Sequence, residues 1–205
     1  MQVTRWTHSC VRFEKGGQVL VVDPGVWTEP EALDGADVVL LTHEHGDHAD
    51  LDRLGALGVR VVAPDGARLG RLAAERVGPG DTFVVNGFTV RTVGGTHLPV
   101  MPDQEPTPNL GYVVDDAVYH PGDALDVPLG AVPRVETLLV PMQASWLLTR
   151  AAVEFVRAVD PVQAVGIHDG QINERAVRSI AWWLDRETPC GFDWLAPGTA
   201  LTRTG

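Results

Sequence analysis

Apolar positions along the chain cluster in short runs, and this pattern predicts strands more often than helices. Val19-Leu20-Val21-Val22, Val38-Val39-Leu40-Leu41, Val61-Val62-Ala63, Thr137-Leu138-Leu139-Val140 and Ala164-Val165-Gly166-Ile167 read as buried strands. Three hairpins are predicted. In the first, an arm over residues 3–13 turns at Lys15-Gly16-Gly17-Gln18 into residues 19–22, since Gly-Gly between apolar runs is a hairpin signal. In the second, residues 82–85 and 88–93 meet at Asn86-Gly87, a stronger one. In the third, residues 112–114 and 117–119 flank Asp115-Asp116. Helical spacing appears after Asp50 (Leu51, Leu54, Leu57), over residues 65–77 (Leu69, Leu72, Ala73, Val77), over 150–159 with Thr149 as cap, and after the cap Asn173 (Val177, Ile180, Ala181, Leu184). Residues 31–36 form a short connecting segment, and residues 192–201 a terminal strand or two. Residues 98–109 carry four prolines and no periodicity, which predicts a loop long enough to act as a substrate-facing flap.

There is no repeat, linker or low-complexity stretch, and the strands fall in both halves. Residues 1–205 are therefore expected to form one α/β (α+β) domain of two sheet layers with helices outside.

The chemistry concentrates at strand ends. Thr42-His43-Glu44-His45-Gly46-Asp47-His48 follows the run Val38–Leu41 directly. Side chains two apart on a strand share a side, so His43 and His45 can reach one ion together. Asp47 and His48 leave the turn at another angle and can reach a second. His43-Glu44 opens like a zincin motif, but Asp47 stands where the second histidine would be needed. His97 after Gly94-Gly95-Thr96, Asp123 after Pro121-Gly122, and His168 after a strand bring the candidate ligands to seven. That is enough for two ions sharing a carboxylate. Asp23, in Asp23-Pro24-Gly25, is either a turn former or an acceptor that orients a ligand imidazole. His8 is either a satisfied core histidine or a residue lining the site against substrate or a ligand. His120 is expected to be structural. Trp27, Met101, Gln143, Ser145 and Trp146 lie on loops that could form a substrate pocket.

Charge narrows the partners. A formal net charge of −11 argues against non-specific nucleic-acid binding, which needs Lys and Arg against the phosphates. Two cysteines, Cys10 and Cys190, are not a disulfide framework. Residues 1–5 lack the apolar core of a secretion signal, and no run approaches the roughly 20 apolar residues of a membrane span. The chain is expected to be cytoplasmic and off the membrane. Trp182 and Trp183 cannot both face the core, which leaves a homo-oligomer open.

The spelling and order of these motifs (Thr-His-Glu-His-Gly-Asp-His, Gly-Thr-His, Pro-Gly-Asp and a late strand-end His) resemble the metallo-β-lactamase superfamily across nearly the whole chain. Thr7-His8-Ser9-Cys10 with Asp23-Pro24 looks like its compact branch of ascorbate-6-phosphate lactonase-like proteins and metal-dependent hydrolases. The resemblance implies the four-layer αββα fold. It also implies two divalent ions, zinc first with manganese, iron or nickel as alternatives. His43, His45 and His97 would hold one ion, and Asp47, His48 and His168 the other, with Asp123 bridging. Asp47, Asp123 and His168 would then serve catalysis, in which a hydroxide shared by the ions attacks an ester, lactone or phosphodiester of a small molecule. The alternatives are a nuclease or phosphodiesterase acting on nucleic acid, which the charge disfavours, a di-iron redox enzyme, and a non-catalytic metal-binding protein.

Overall fold

Successive side chains of the central runs enter different cores. Leu20, Val22, Val38 and Leu40 join one apolar cluster, while Val19, Val21, Val39 and Leu41 join another. This period-2 alternation is why the runs are apolar throughout: each strand is covered on both faces. The computed structural model describes residues 1–201. Its strands are β1 (Gln2–Arg5), β2 (Val11–Lys15), β3 (Gln18–Val22), β4 (Val38–Leu40), β5 (Arg60–Pro64), β6 (Glu75–Val77) and β7 (Thr82–Val85), then β8 (Phe88–Thr96), β9 (Pro108–Val114), β10 (Val118–His120), β11 (Thr137–Pro141), β12 (Gln163–Ile167), β13 (Gly191–Asp193) and β14 (Thr199–Ala200). The helices are α1 (Leu51–Leu57), α2 (Thr149–Val159) and α3 (Glu174–Glu187).

The strands make two sheets, ordered β14-β1-β2-β3-β4-β5-β6 and β13-β12-β11-β10-β9-β8-β7. Both are mixed. In the first, β1 to β3 pair antiparallel and β3 to β6 parallel. In the second, β7 to β10 pair antiparallel and β10 to β13 parallel. Phe13, Leu20 and Leu40 from one sheet meet Phe88, Tyr112 and Ile167 from the other. Outside the second sheet, Leu138, Val140 and Tyr119 pack against Phe155, Val156, Val177 and Leu184 of α2 and α3. Outside the first, Val39, Leu41 and Val61 pack against Leu54 of α1 and against Ala32 and Leu33 of a short 3-10 turn, Pro30–Leu33. The four-layer αββα arrangement expected from the sequence is the one observed. Among the described residues, no helix is long and apolar enough to cross a membrane.

The topology sends strand ends to one edge of the sandwich. β3 ends before Asp23, β4 before Thr42 and its motif, β8 before His97, β10 before Asp123, and β12 before His168. In sheets of this kind ligands gather beyond the carboxyl ends of parallel strands.

Several local expectations change. Residues 65–77 do not form a helix. The left-handed glycines Gly66 and Gly70 break the segment, and Glu75–Val77 extends to pair parallel with β5. Leu69 is buried all the same, in a turn. The first hairpin is two hairpins: its long arm breaks into β1 and β2 around a tight turn in which the Trp6 amide donates to the Cys10 carbonyl at 2.8 Å. That turn was hidden because His8, and no glycine, takes its left-handed position (φ 64°). Helix α2 starts at Thr149, after an N-cap at Leu148 that has no side-chain bond. Asn173 does cap α3, accepting from the Arg175 and Ala176 amides. Strand β8 continues past residue 93 to Thr96. The terminal segment splits, with β13 in one sheet and β14 in the other.

Gly25 allows the loop after β3 to cross the metal-motif backbone. A Cβ there would lie 1.8 Å from the Asp47 carbonyl oxygen, whereas one on Gly46 would meet nothing within 4 Å. The crossing is fixed by the Val26 amide donating to the Gly46 carbonyl at 2.9 Å. Gly25→Ala should therefore cost about 1–3 kcal/mol or more as overpacking, lowering Tm by roughly 2–12 °C in a chain of this size. Gly46→Ala should change stability by less than about 0.5 kcal/mol. Thermal melts of the two variants check this, and equal losses would contradict the crossing as described.

Candidate metal centre

Counting protons on the buried imidazoles defines the site. Asp23 is wholly buried and accepts from the Thr42 amide at 2.7 Å, the Thr42 hydroxyl at 2.6 Å and Nδ1–H of His48 at 2.7 Å. Thr42 has then used its one hydroxyl proton, so toward His43 Nδ1, 3.0 Å away, its oxygen can only accept. His43 therefore carries its proton on Nδ1. His97 donates Nδ1–H to the Leu98 carbonyl at 2.5 Å, and His168 donates Nδ1–H to the Gln143 carbonyl. Nδ1 is engaged in each of these four rings, so Nε2 is the nitrogen that a ring in its neutral, metal-binding form would offer as a lone pair.

Three of those Nε2 atoms face Asp123, His168 within hydrogen-bonding distance. Nε2 of His48 lies 3.1 Å from Asp123 Oδ1, and Nε2 of His97 and of His168 each lie 3.2 Å from Oδ2. The His48–Asp123 approach lacks the alignment of a hydrogen bond. His48 Nε2, Asp123 Oδ1 and His43 Nε2 are all buried without a hydrogen-bond partner. Burying unsatisfied lone pairs against a carboxylate is costly. Only a cation or a proton between them relieves the repulsion.

Ligand atoms of His43, His45 and His97 lie within 4.8 Å of one another, and so do those of His8, Asp47, His48 and His168. Asp123 sits where the two sets meet. Asp23, with His43 and His48, forms a third such set, but its oxygens are already engaged, so it orients the others. Imidazoles and carboxylates in this number suit a divalent metal, and hydrogen bonds to each Nδ1–H are the usual means of orienting metal-binding imidazoles.

The electrostatics agree. Burial works against charge on His48, but the carboxylates of Asp123 and Asp23 outweigh it and hold the imidazole well above its ordinary range. Asp123 is also buried, yet His48 and His168 hold its carboxyl well below the usual range. Burial, then the charge of His48, depresses His43. Burial, then His97, depresses His45. Asp47 is half-buried, and the His8 hydrogen bond with the nearby imidazoles overcomes that burial to hold it at about 2. The shifts at His48 and Asp123 both favour an imidazolium at His48 beside an ionised Asp123 when no metal is bound.

The backbone around Asp123 is set by Asn109, whose Oδ1 accepts from the Asp123 amide at 2.9 Å and whose Nδ2 donates to the Pro121 carbonyl at 3.0 Å. The chain can turn there because Gly122 is left-handed and has no Cβ, which would lie 2.3 Å from Asn109 Oδ1. The indole of Trp146 donates to Asp123 Oδ2 at 3.0 Å.

The structure thus brings His43, His45, Asp47, His48, His97, Asp123 and His168 to one edge, with Asp23 and His8 against them. Trp146 and Ser145 wall a cleft of about 140 Å³ above the site, together with Val100, Gln104 and Gln171. A larger groove of about 620 Å³ lies between α1 and residues 69–73, lined by no histidine; convergent ligand chemistry, not volume, locates the site. Gln143 contributes its carbonyl to His168. Trp27 meets His8 edge-on, ring centres 4.9 Å apart. Met101 is exposed, outside the cleft walls. His120 has both ring nitrogens engaged by backbone: Nε2–H donates to the Ser9 carbonyl at 2.8 Å and Nδ1 accepts from the Gly122 amide at 3.1 Å.

Sequence reasoning missed the roles of Thr42 and Asn109. Thr42 stands in the quoted motif but reads as a spacer, and Asn109 ends a proline-rich loop with no signal of its own. It also missed a buried tether beside His168. Arg5 pairs with Asp169, and the Trp194 indole donates to the other Asp169 oxygen at 2.6 Å.

Residues 2–168 match the family described as the beta-lactamase superfamily domain. Protein Rv0786c of Mycobacterium tuberculosis is 34% identical over 214 residues, spanning 98% of this chain and 100% of its own length. A UPF0173 metal-dependent hydrolase, MK1542, of Methanopyrus kandleri is 29% identical over 195 residues, 83% of this chain and 84% of its own. The structure of Igni18, a metallo hydrolase from Ignicoccus hospitalis, superposes with a TM-score of 0.72 at 18% identity, covering 98% of this chain and 97% of that one. With that match across residues 2–168 and the αββα fold beneath it, the chain belongs to the metallo-β-lactamase superfamily.

Proposed function

We propose that the chain is a metal-dependent hydrolase with a two-ion centre that acts on small, uncharged carbonyl compounds such as lactones and esters. The observation that carries this reading is the convergence of three imidazole Nε2 atoms on the buried carboxylate of Asp123. His43, His45 and His97 would hold one ion, Asp47, His48 and His168 the second, and Asp123 would face both. When bound, two such ions supply Lewis acidity and a water of lowered pKa, zinc being the first expectation and manganese, iron or nickel also compatible with the donors.

The chain's own residues supply placement. Asp23 and the Thr42 hydroxyl fix the His48 and His43 rings, and the Leu98 and Gln143 carbonyls fix those of His97 and His168. Asn109 and Trp146 hold Asp123 from the backbone side and the cleft side. The cleft walls pair apolar surface from Val100 and Trp146 with the uncharged amides of Gln104 and Gln171. Such a lining favours a compact substrate with one apolar face and carbonyl or hydroxyl groups to hydrogen-bond.

Asp123→Ala is expected to lower hydrolysis of the best substrate in a panel of lactones, esters and phosphodiesters by at least about 100-fold. It should also reduce bound metal, with far-UV circular dichroism unchanged. Full activity in the variant would overturn the shared-carboxylate role. Preference for phosphodiesters by the parent protein would overturn the substrate class.

A second expectation concerns protons. The carboxylates of Asp123 and Asp23 raise the His48 pKa and so favour its protonated form in metal-free protein, and loading displaces that proton. Titration with zinc at pH 7 should release about one proton or more per chain, and affinity should fall as the pH is lowered. Calorimetry in buffers of different ionisation enthalpy reads this directly; binding with no proton release would contradict the assignment of His48 as a ligand.

A further inference from the structure

His8 stands among the candidate ligands, yet its hydrogen bonds run opposite to theirs. The Gly170 amide donates to His8 Nδ1 at 3.1 Å, so that nitrogen must present its lone pair. A neutral ring then carries its proton on Nε2, which lies 3.2 Å from Asp47 Oδ2. His43, His48, His97 and His168 each donate from Nδ1, which leaves Nε2 as the nitrogen available to an ion. His8 accepts at Nδ1, donates from Nε2, and has no lone pair left for an ion.

The placement of His8 is over-determined. Its carbonyl accepts from the His168 amide at 2.9 Å, and its ring centre lies 4.0 Å from that of His168. Trp27 closes the other side at 4.9 Å. A Cβ on Gly170 would sit 2.9 Å from the Trp27 ring and 3.0 Å from His8 Nδ1, so the donating amide comes this close only because residue 170 is glycine. The backbone at His8 is left-handed, with φ 64°. The residue is 1% exposed. One residue in the β1–β2 turn thus touches two of the three groups assigned to the second ion, Asp47 through its ring and His168 through its backbone carbonyl.

We propose that His8 is a positioning residue for the second ion and not a ligand to it: the Gly170 amide locks its ring so that Nε2–H holds Asp47 Oδ2, leaving Oδ1 free for the ion. The proposal rests on the two-ion reading. Its test separates the two. Long-range proton–nitrogen NMR on histidine-labelled protein, with zinc as purified and after chelation, reads the His8 tautomer in both states. Protonated Nε2 and unprotonated Nδ1 in both are expected; a zinc-bound nitrogen or an Nδ1–H tautomer overturns the proposal, whether or not a second ion binds.

Two amide variants then test the role. Gln places a donor where Nε2 stood, and Asn places an acceptor where Nδ1 stood. Asn tolerates a left-handed backbone better than Gln does. A merely structural role therefore predicts that His8→Asn outperforms His8→Gln in every measurement. The proposal predicts a split: His8→Asn melts higher, but His8→Gln keeps second-ion affinity within about 3-fold of the parent. His8→Asn and His8→Ala should each weaken that affinity roughly 10–100-fold while the first ion binds unchanged. Cobalt titrations followed by visible absorption measure both affinities. Unchanged second-ion affinity in His8→Ala, or the order Asn above Gln in affinity, would overturn the proposal.

Discussion

A buried carboxylate at the end of β3 governs the geometry of this site. Asp23 is fully removed from water, and a charge there is tolerable only when it is surrounded by donors. Thr42 provides two and His48 a third. Those bonds start the metal motif at the correct place beyond β4, and they put the proton of His48 on the side away from Asp123. The same threonine, with its hydroxyl proton spent on Asp23, sets the proton of His43. One acid thus determines which ring nitrogen of His48 and of His43, two candidate ligands, carries the inward lone pair.

The fold delivers the remaining candidate ligands by topology. Strands β3 and β4 run parallel in one sheet, β10, β11 and β12 in the other, and their carboxyl ends open on one edge. Cross-links keep the two edges in register: the Tyr112 hydroxyl donates to the Leu41 carbonyl at 2.8 Å, and the Leu110 amide to the Thr42 carbonyl at 2.9 Å. Arg5 reaches across to Asp169, the neighbour of His168. The apolar layers on either side of each sheet make these ends rigid, which matters because metal ligands work only within tight distance and angle limits.

Much of this was legible in the residues. Continuous apolar runs identified the central strands, Asn86-Gly87 a hairpin, and Asn173 a cap, because each is a local signal. The seven ligand candidates stood out because four crowd the motif after Leu41 and the other three follow a strand or a Pro-Gly turn. What was not legible depended on distant contacts. Residues 65–77 carry helical spacing, but pairing with β5 overrides it. The turn at His8 lacks glycine and is held by Gly170 and His168, some 160 residues on. Thr42 and Asn109 gain their roles only once Asp23 and Asp123 are folded against them.

The central claim is that the convergent lone pairs around Asp123 hold metal. Elemental analysis of the purified protein, prepared without chelator and without a histidine tag, tests it most directly. About two divalent ions per chain, zinc foremost, is the predicted result. Metal-free protein that still binds no ion after dialysis against zinc, manganese and iron would contradict it.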